Sequence, residues 1–274
     1  MSFSIGENIG PYRISEQLGQ GGMATVYKAY HAALDRYVAL KVLHPAFNED
    51  KSFELRFQRE ARVVAKLEHP NIVPIYDYAE HEHRPYLVMK FIEGETLKAR
   101  LQRGPLSAGE IQRVVDSVGA ALSYAHTQGI LHRDIKPSNV MLDSSTIPAR
   151  VVLTDFGIAK IIDSQTLMTN TNILGTLDYI APEQIQASAE VDSRADIYAL
   201  GIMTYQMLTG CLPFESLNTG ALLLAHLNAP PPDIRLLIRD LPRHVAHNIQ
   251  RAMAKNPAAR HATAGEFVAS LENE

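Results

Sequence analysis

Eight consecutive residues, His132-Arg133-Asp134-Ile135-Lys136-Pro137-Ser138-Asn139, bring together two cations, a carboxylate and an amide. Asp134 can accept a hydroxyl proton. Downstream, Asp155-Phe156-Gly157 follows the apolar run Val151-Val152-Leu153. Asp155 and Asn139 both offer oxygen, the donor type that Mg²⁺ prefers. Upstream, Val38-Ala39-Leu40-Lys41 sets a lysine inside an apolar strand, where lysines are rare unless paired. Glu60 lies three residues after Phe57 and four before Val64, so it points with a buried helical stripe. An inward lysine and an inward glutamate relieve each other's cost of burial. These two residues alone leave open a structural ion pair or a lysine held to grip phosphate oxygens. Gly19-Gln20-Gly21-Gly22-Met23-Ala24-Thr25-Val26 sits between two strands. Its glycines let backbone N–H groups approach phosphate, although a plain glycine hairpin reads the same way. The strand after it argues against a P-loop or dinucleotide motif, which needs a helix there. Each short piece could also be an Asx turn.

The elements that must position these groups change character along the chain. Short β-branched or aromatic segments at 12–18, 24–30, 37–43, 72–78 and 85–89 read as strands. One helix interrupts them, with Phe53, Phe57, Ala61, Val64 and Leu67 at helical spacing and His69-Pro70-Asn71 as its stop. After Gly94 the pattern turns helical. Ser107-Ala108-Gly109-Glu110 is a capping box ahead of the stripe Ile111, Val114, Val115, Val118, Leu122 and Ala125. Ser193 is placed to cap a helix carrying Ile197, Leu200, Met203, Met207 and Leu208, and Thr263-Ala264-Gly265-Glu266 reads as a second box. The long polar stretch from Leu131 to Glu183 has the marks of a functional region. The reading is a strand-rich lobe over 11–89, a connector Lys90-Phe91-Ile92-Glu93, and a helical lobe over 94–274. Clefts between lobes are favoured ligand sites.

Composition excludes several classes. The chain has 274 residues, 46% hydrophobic and 20% charged, so it is neither disordered nor collagen-like. A net charge of −4, no Trp and no Lys/Arg block make it a poor nucleic-acid binder. Its single cysteine, Cys211, excludes an internal disulfide and a cysteine-only zinc site, and reads as a small buried hydrophobe. No apolar run is long enough to span a membrane, and the first residues lack a signal-peptide pattern, so the expected location is the cytoplasm.

Taken in order, the Gly19 loop, Val38-Ala39-Leu40-Lys41, Glu60, His132-Arg133-Asp134 with Asn139, Asp155-Phe156-Gly157 and Ala181-Pro182-Glu183 resemble the eukaryotic-type protein kinase family, from Pro11 to about Leu271. Asp196-Ile197-Tyr198-Ala199-Leu200-Gly201 looks like the family's buried-Asp helix, and Arg260 sits where the family pairs an arginine with Glu183. Gly21-Gly22-Met23, His69-Pro70-Asn71-Ile72-Val73 and Asp155-Phe156-Gly157-Ile158-Ala159-Lys160 look most like bacterial receptor-type Ser/Thr kinases. Ala24 replaces the third loop glycine, a small residue that the subfamily also uses.

The resemblance implies an α+β, bilobal kinase-like fold, a catalytic domain over 11–274 with a small antiparallel β lobe and a larger helical lobe. It implies transfer of the γ-phosphoryl group of Mg-ATP, with Mn²⁺ as the alternative metal, to Ser/Thr hydroxyls. Asp134 would take the hydroxyl proton, Lys136 would neutralise the moving phosphoryl, and Lys41 held by Glu60 would grip the α/β phosphates. Asn139 and Asp155 would hold the metal. ATP would lie against Leu18, Gly19, Gln20, Gly21, Gly22, Met23, Ala24, Val26, Ala39, Met89, Phe91 and Met141, with backbone groups of Lys90 and Ile92 reaching adenine. Lys136, and Gly175-Thr176 ahead of Ala181, favour Ser/Thr over Tyr acceptors. Ser164, Thr166, Thr169 and Thr171 lie in a polar loop; autophosphorylated Thr169 and Thr171 would dock on Arg133. Implied partners are ATP, protein substrates, the chain itself and, by family habit, a second copy through the small lobe. Relatives of the receptor type are the cytoplasmic portions of membrane-anchored proteins. The competing readings are a catalytically weak nucleotide-binding scaffold of the same fold and a small-molecule phosphotransferase. The intact Lys41, Asp134 and Asp155 set apart the first, and the segment from Gly175 to Glu183, suited to a peptide acceptor, sets apart the second.

Overall fold

A computed structural model describes residues 3–22, 24–45, 51–156, 177–186, 191–216 and 218–272, without the side chains at 51–54 and 56. Met23, Gly157 to Lys160, the 163–172 loop with Ser164, Thr166, Thr169 and Thr171, and Gly175-Thr176 lie outside the described residues, as does the Phe53 side chain. The chain forms two compact units that part between Glu93 and Gly94.

The first unit holds β1 (Asn8–Ile9), β2 (Tyr12–Gln20), β3 (Ala24–His31), β4 (Arg36–Leu43), α1 (Lys51–Val64), β5 (Ile75–His81) and β6 (Arg84–Lys90). The strands form an antiparallel sheet in the order β1-β2-β3-β4-β6-β5. Alternation along β4 gives the sheet two apolar faces. Val38, Leu40 and Val42 join Ile14, Tyr27, Ala29, Tyr86 and Val88 in one cluster, covered by Phe3 and Ile9. The opposite face carries Ala39 and Lys41, whose cross-strand neighbours are Lys28 and Met89 for the first, Val26 and Leu87 for the second. Tyr78 is opposite Leu87 on this face, and its ring meets Phe57 of α1 at 6.0 Å. Phe57, Ala61 and Val64 are buried, which seats the helix stripe against the Lys41 face.

The second unit is mostly helical: β7 (Gly94–Thr96), α2 (Leu97–Gln102), α3 (Ala108–Thr127), β8 (Val140–Asp143), β9 (Arg150–Leu153), α4 (Pro182–Ile185), α5 (Arg194–Thr209), α6 (Thr219–Asn228), α7 (Arg243–Ala252) and α8 (Ala264–Glu272). The strands β7-β8-β9 make a small antiparallel sheet. The Ser107 capping box forms: Ser107 Oγ accepts from Glu110 N at 3.3 Å, and Glu110 Oε2 accepts from Ser107 N at 2.9 Å. Two glycines let helices approach closely. A Cβ on Gly119 of α3 would lie 2.3 Å from Val268 of α8, and one on Gly201 of α5 would lie 2.9 Å from Ala252 of α7.

Four local expectations change. Ser193 is itself helical (φ −58°, ψ −20°) and makes no side-chain cap; Asp192 Oδ1 accepts from Arg194 N at 2.8 Å instead. The Thr263 box is half formed: Thr263 Oγ1 accepts from Glu266 N, but Glu266 Oε2 takes the N–H of Ala262. Cys211 is exposed, because Gly210 ends α5 in a left-handed cap (φ 78°) and throws the next residue outward. The fifth strand starts at Ile75 rather than Ile72; Ile72 and Val73 are buried outside it, and Pro74 lacks the N–H that a ladder would use.

Two buried histidines tie this packing to pH. His226 and His261 are each 0% exposed, and burial pushes both down to about 4, helped by the Lys255 charge at His226 and by Arg251 at His261. Tyr198 Oη accepts from Lys255 Nζ at 3.3 Å and donates to His226 Nδ1 at 3.0 Å, leaving the neutral ring's proton on Nε2. The folded state holds both rings neutral, whereas the unfolded chain protonates near pH 6.5. Their stabilisation is therefore complete above about pH 6.5 and is lost as pH falls toward 4. The thermal unfolding midpoint is expected to drop across that window, and to drop less in His226→Phe. A wild-type midpoint independent of pH between 6.5 and 4.5 would contradict this reading.

Candidate active site

Asp196 of α5 anchors the site from below. It is 1% exposed, and its carboxylate accepts from His132 N (2.8 Å), Arg133 N (2.6 Å) and His126 Nε2 (2.8 Å). These hydrogen bonds outweigh the cost of burial and hold the acid below the usual carboxylate range. With both N–H groups fixed, the chain turns sharply: Arg133 adopts φ 63°, a left-handed conformation that is costly for a residue with a Cβ. Gln184 braces the same peptide, donating from Nε2 to Arg133 O at 3.3 Å while its Oε1 takes the N–H of Ala181.

His132 links the loop to the strand behind it. Its ring is buried, its Nδ1 accepts from Asp134 N at 3.2 Å, and its Nε2 therefore carries the proton given to Thr154 O at 2.8 Å. Burial pushes this imidazole down, which keeps it neutral in that tautomer. The ring packs on Phe156 at 4.6 Å.

Upon this frame stand the reactive groups. Asp134 Oδ2 lies 2.9 Å from Lys136 Nζ and accepts from Asn139 Nδ2 at 3.0 Å. Asn139 Nδ2 also donates to Asp134 O at 2.8 Å, so its two amide protons are spent within the loop. Only Oδ1 of that buried side chain is left to coordinate a ligand. Asn139 O accepts from Thr154 N (2.8 Å) and Thr154 Oγ1 (3.1 Å), which fixes Asp155, the next residue, beside it. Asp155 has φ 60°, a second strained non-glycine. One amide oxygen and one carboxylate form the hard-oxygen pair that suits a divalent cation shared with substrate phosphates. Among the described residues there is no cluster of three His, Cys, Asp or Glu that could hold a metal ion.

The other expected residues lie in the first unit, apart from Met141, which is on β8 opposite Thr96 and Val152. Val26, Ala39, Lys41 and Met89 share one face of the sheet, the face that carries Tyr78, whose ring meets Phe57 of α1. Gly19 is opposite Val26, and a register shift between Gln17 and Gly19 makes Leu18 the extra residue, 43% exposed. Gly21 N donates to Ala24 O at 2.9 Å. In the connector Ile92 is buried, and Phe91 is half-buried with Lys28 Nζ 4.4 Å from its ring centroid. Reading the sequence missed His126 and Thr154, whose partners lie far along the chain, and also His44, discussed below.

The comparisons agree with the motifs. The family model described as "Protein kinase domain" matches residues 12–263. The chain is 38% identical to the serine/threonine-protein kinase PrkC of Bacillus subtilis over 270 residues, covering 98% of this chain and 41% of that protein. It is 41% identical to the serine/threonine-protein kinase Pkn1 of Myxococcus xanthus over 271 residues, 98% of this chain and 39% of the relative. The chain thus spans about two-fifths of the length of these curated relatives. The crystal structure of the PknI kinase domain from Mycobacterium tuberculosis superposes with a TM-score of 0.79 at 32% identity, covering 99% of each chain.

Proposed function

Since the chain belongs to the protein kinase domain family, whose members use ATP and a divalent metal, we propose that it transfers the γ-phosphoryl group of Mg-ATP to serine or threonine hydroxyls of proteins. The observation that carries this reading is the Asp134 carboxylate, held between Lys136 Nζ and Asn139 Nδ2 on a loop whose backbone Asp196 fixes. As the hydroxyl oxygen attacks phosphorus and the bond to the β–γ bridging oxygen breaks, Asp134 orients the hydroxyl and takes its proton. Lys136 balances charge on the moving phosphoryl group, and Lys41 grips the α/β phosphates. Asp155 and Asn139 Oδ1 would hold Mg²⁺, which would neutralise phosphate charge; Mn²⁺ would suit the same oxygen pair. Positioning and electrostatics then provide most of the rate.

The regulatory reading rests on Arg133. Its backbone is locked and its side chain is exposed, which suits docking of a phosphate on Thr169 or Thr171. Residues 90–93 act as the connector of a catalytic domain over 11–274, in the manner of a cytoplasmic kinase portion.

Incubation with γ-³²P-ATP and phosphopeptide mapping tests these points together. Label on Ser or Thr of protein, including the 163–172 loop, is the expected result. Nucleotide binding without label on any acceptor would leave the scaffold reading instead, and label only on a small metabolite would overturn the protein-acceptor assignment.

A further inference from the structure

His44 lies just beyond the end of β4, outside every motif named above, yet its ring reaches the tip of the glycine loop. Its Nδ1 is 3.2 Å from Gly22 O and its Nε2 is 3.0 Å from Thr25 Oγ1. A carbonyl can only accept, so Nδ1 carries the ring proton and donates it to Gly22 O. Nε2 is then the acceptor, and the Thr25 hydroxyl donates to it. Thr25 is a buried polar residue, 4% exposed, in register with Val42 on the sheet face turned away from Lys41. That face gives its hydroxyl no apolar reason to be there, and the imidazole satisfies it. The ring also forms part of the wall of a cavity of about 230 Å³ with Gln20, Thr25, Tyr27, Val42 and Arg84.

We infer that His44 is a positioning residue that staples the glycine-rich loop in the shape that receives the nucleotide phosphates. This deepens the kinase reading above and rests on it. Gly21 and Gly22 have more backbone freedom than any other residue type, and a loop free to sample it must be ordered when nucleotide binds. A clamp from outside the loop fixes one carbonyl at its tip and the threonine that re-enters β3, so part of that ordering is already complete in the free protein. Phosphate binding gains, while the proton-transfer geometry at Asp134 is untouched.

The test compares wild type, His44→Ala, His44→Asn and Thr25→Val in two assays: steady-state transfer from Mg-ATP, and direct titration with a fluorescent ATP analogue. The expected result for His44→Ala is a KM for ATP and an analogue Kd both raised by about 3- to 10-fold. Its kcat and thermal midpoint should stay near wild type. Thr25→Val, which keeps the shape and removes one hydrogen bond, should show part of the rise. His44→Asn, with an amide able to donate and accept, should recover part of the loss. Unchanged KM and Kd in His44→Ala would overturn the staple while leaving the kinase reading standing. An equal fall in kcat and stability, without rescue by Asn, would also overturn it in favour of a purely structural role. If the wild type binds the analogue yet transfers nothing, the kinase reading fails and the staple is judged on Kd alone. If the wild type does not bind the analogue, both fail.

Discussion

Replacing Asp134 by asparagine is expected to lower phosphoryl transfer by about 10²- to 10⁴-fold, the usual share of a positioned general base. The substitution keeps the shape of the side chain and removes its charge and proton affinity. The frame beneath it does not depend on that charge, because Asp196 holds His132 N and Arg133 N, and His132 receives the Asp134 N–H. Asn139 Nδ2 also keeps its second acceptor, the Asp134 carbonyl at 2.8 Å. The fold and nucleotide affinity should therefore survive. Initial-rate transfer to a general acceptor protein, paired with analogue titration, checks both halves. Transfer at the wild-type rate would show that Asp134 is not the base, and loss of nucleotide binding would show that its charge organises the phosphates instead.

The second large effect concerns stability. Arg260→Ala is expected to destabilise the second unit by about 3–5 kcal/mol, the cost of leaving a buried charge without its partner. Arg260 Nη1 and Nη2 meet Glu183 Oε1 and Oε2 at 2.6 and 2.9 Å, and the arginine side chain is 0% exposed. Its remaining donors go to Ala254 O, Arg194 O and Lys255 O, so all five N–H groups are used. Three chain segments, 77, 66 and 5 to 6 residues before Arg260, are thereby pinned at one point: Glu183 at the start of α4, Arg194, and Ala254 with Lys255. Lysine cannot reproduce this fork, so Arg260→Lys should recover only a minor part. Exchanging both partners for apolar residues of similar volume should cost less than either single truncation. Urea unfolding measures the series; a loss below about 1 kcal/mol, the range of an exposed ion pair, would refute the assignment of the pair as a structural lock.

The legible part of this protein is the part whose chemistry is local. His132 to Asn139, Asp155 and the glycine loop announce themselves because the reacting groups must be close together on short, sharply turned segments. The strand positions from Tyr12 to Leu43 follow from short β-branched and aromatic segments, and α3 from its capping box and stripe. What could not be read is long-range or depends on one dihedral angle. Nothing near His126 indicates that its ring meets an aspartate 70 residues later. The exposure of Cys211 turns on the left-handed Gly210, and the failure of Ser193 as a cap on its own helical backbone. Phe3 and Ile9, which precede the first recognisable strand, close one face of the sheet. The stripe Ala246, Ile249 and Ala252 of α7, all buried, was not singled out in the sequence.

The central proposal is that Lys41, Asp134, Asn139 and Asp155 act on one nucleotide. The most direct measurement is a crystal structure with Mg²⁺ and a non-hydrolysable ATP analogue. The account predicts Asp155 and Asn139 Oδ1 as ligands of the metal, Lys41 Nζ within hydrogen-bonding distance of phosphate, and Asp134 facing the γ-phosphoryl group. An analogue bound elsewhere, or bound with these four side chains turned to bulk solvent, would contradict it.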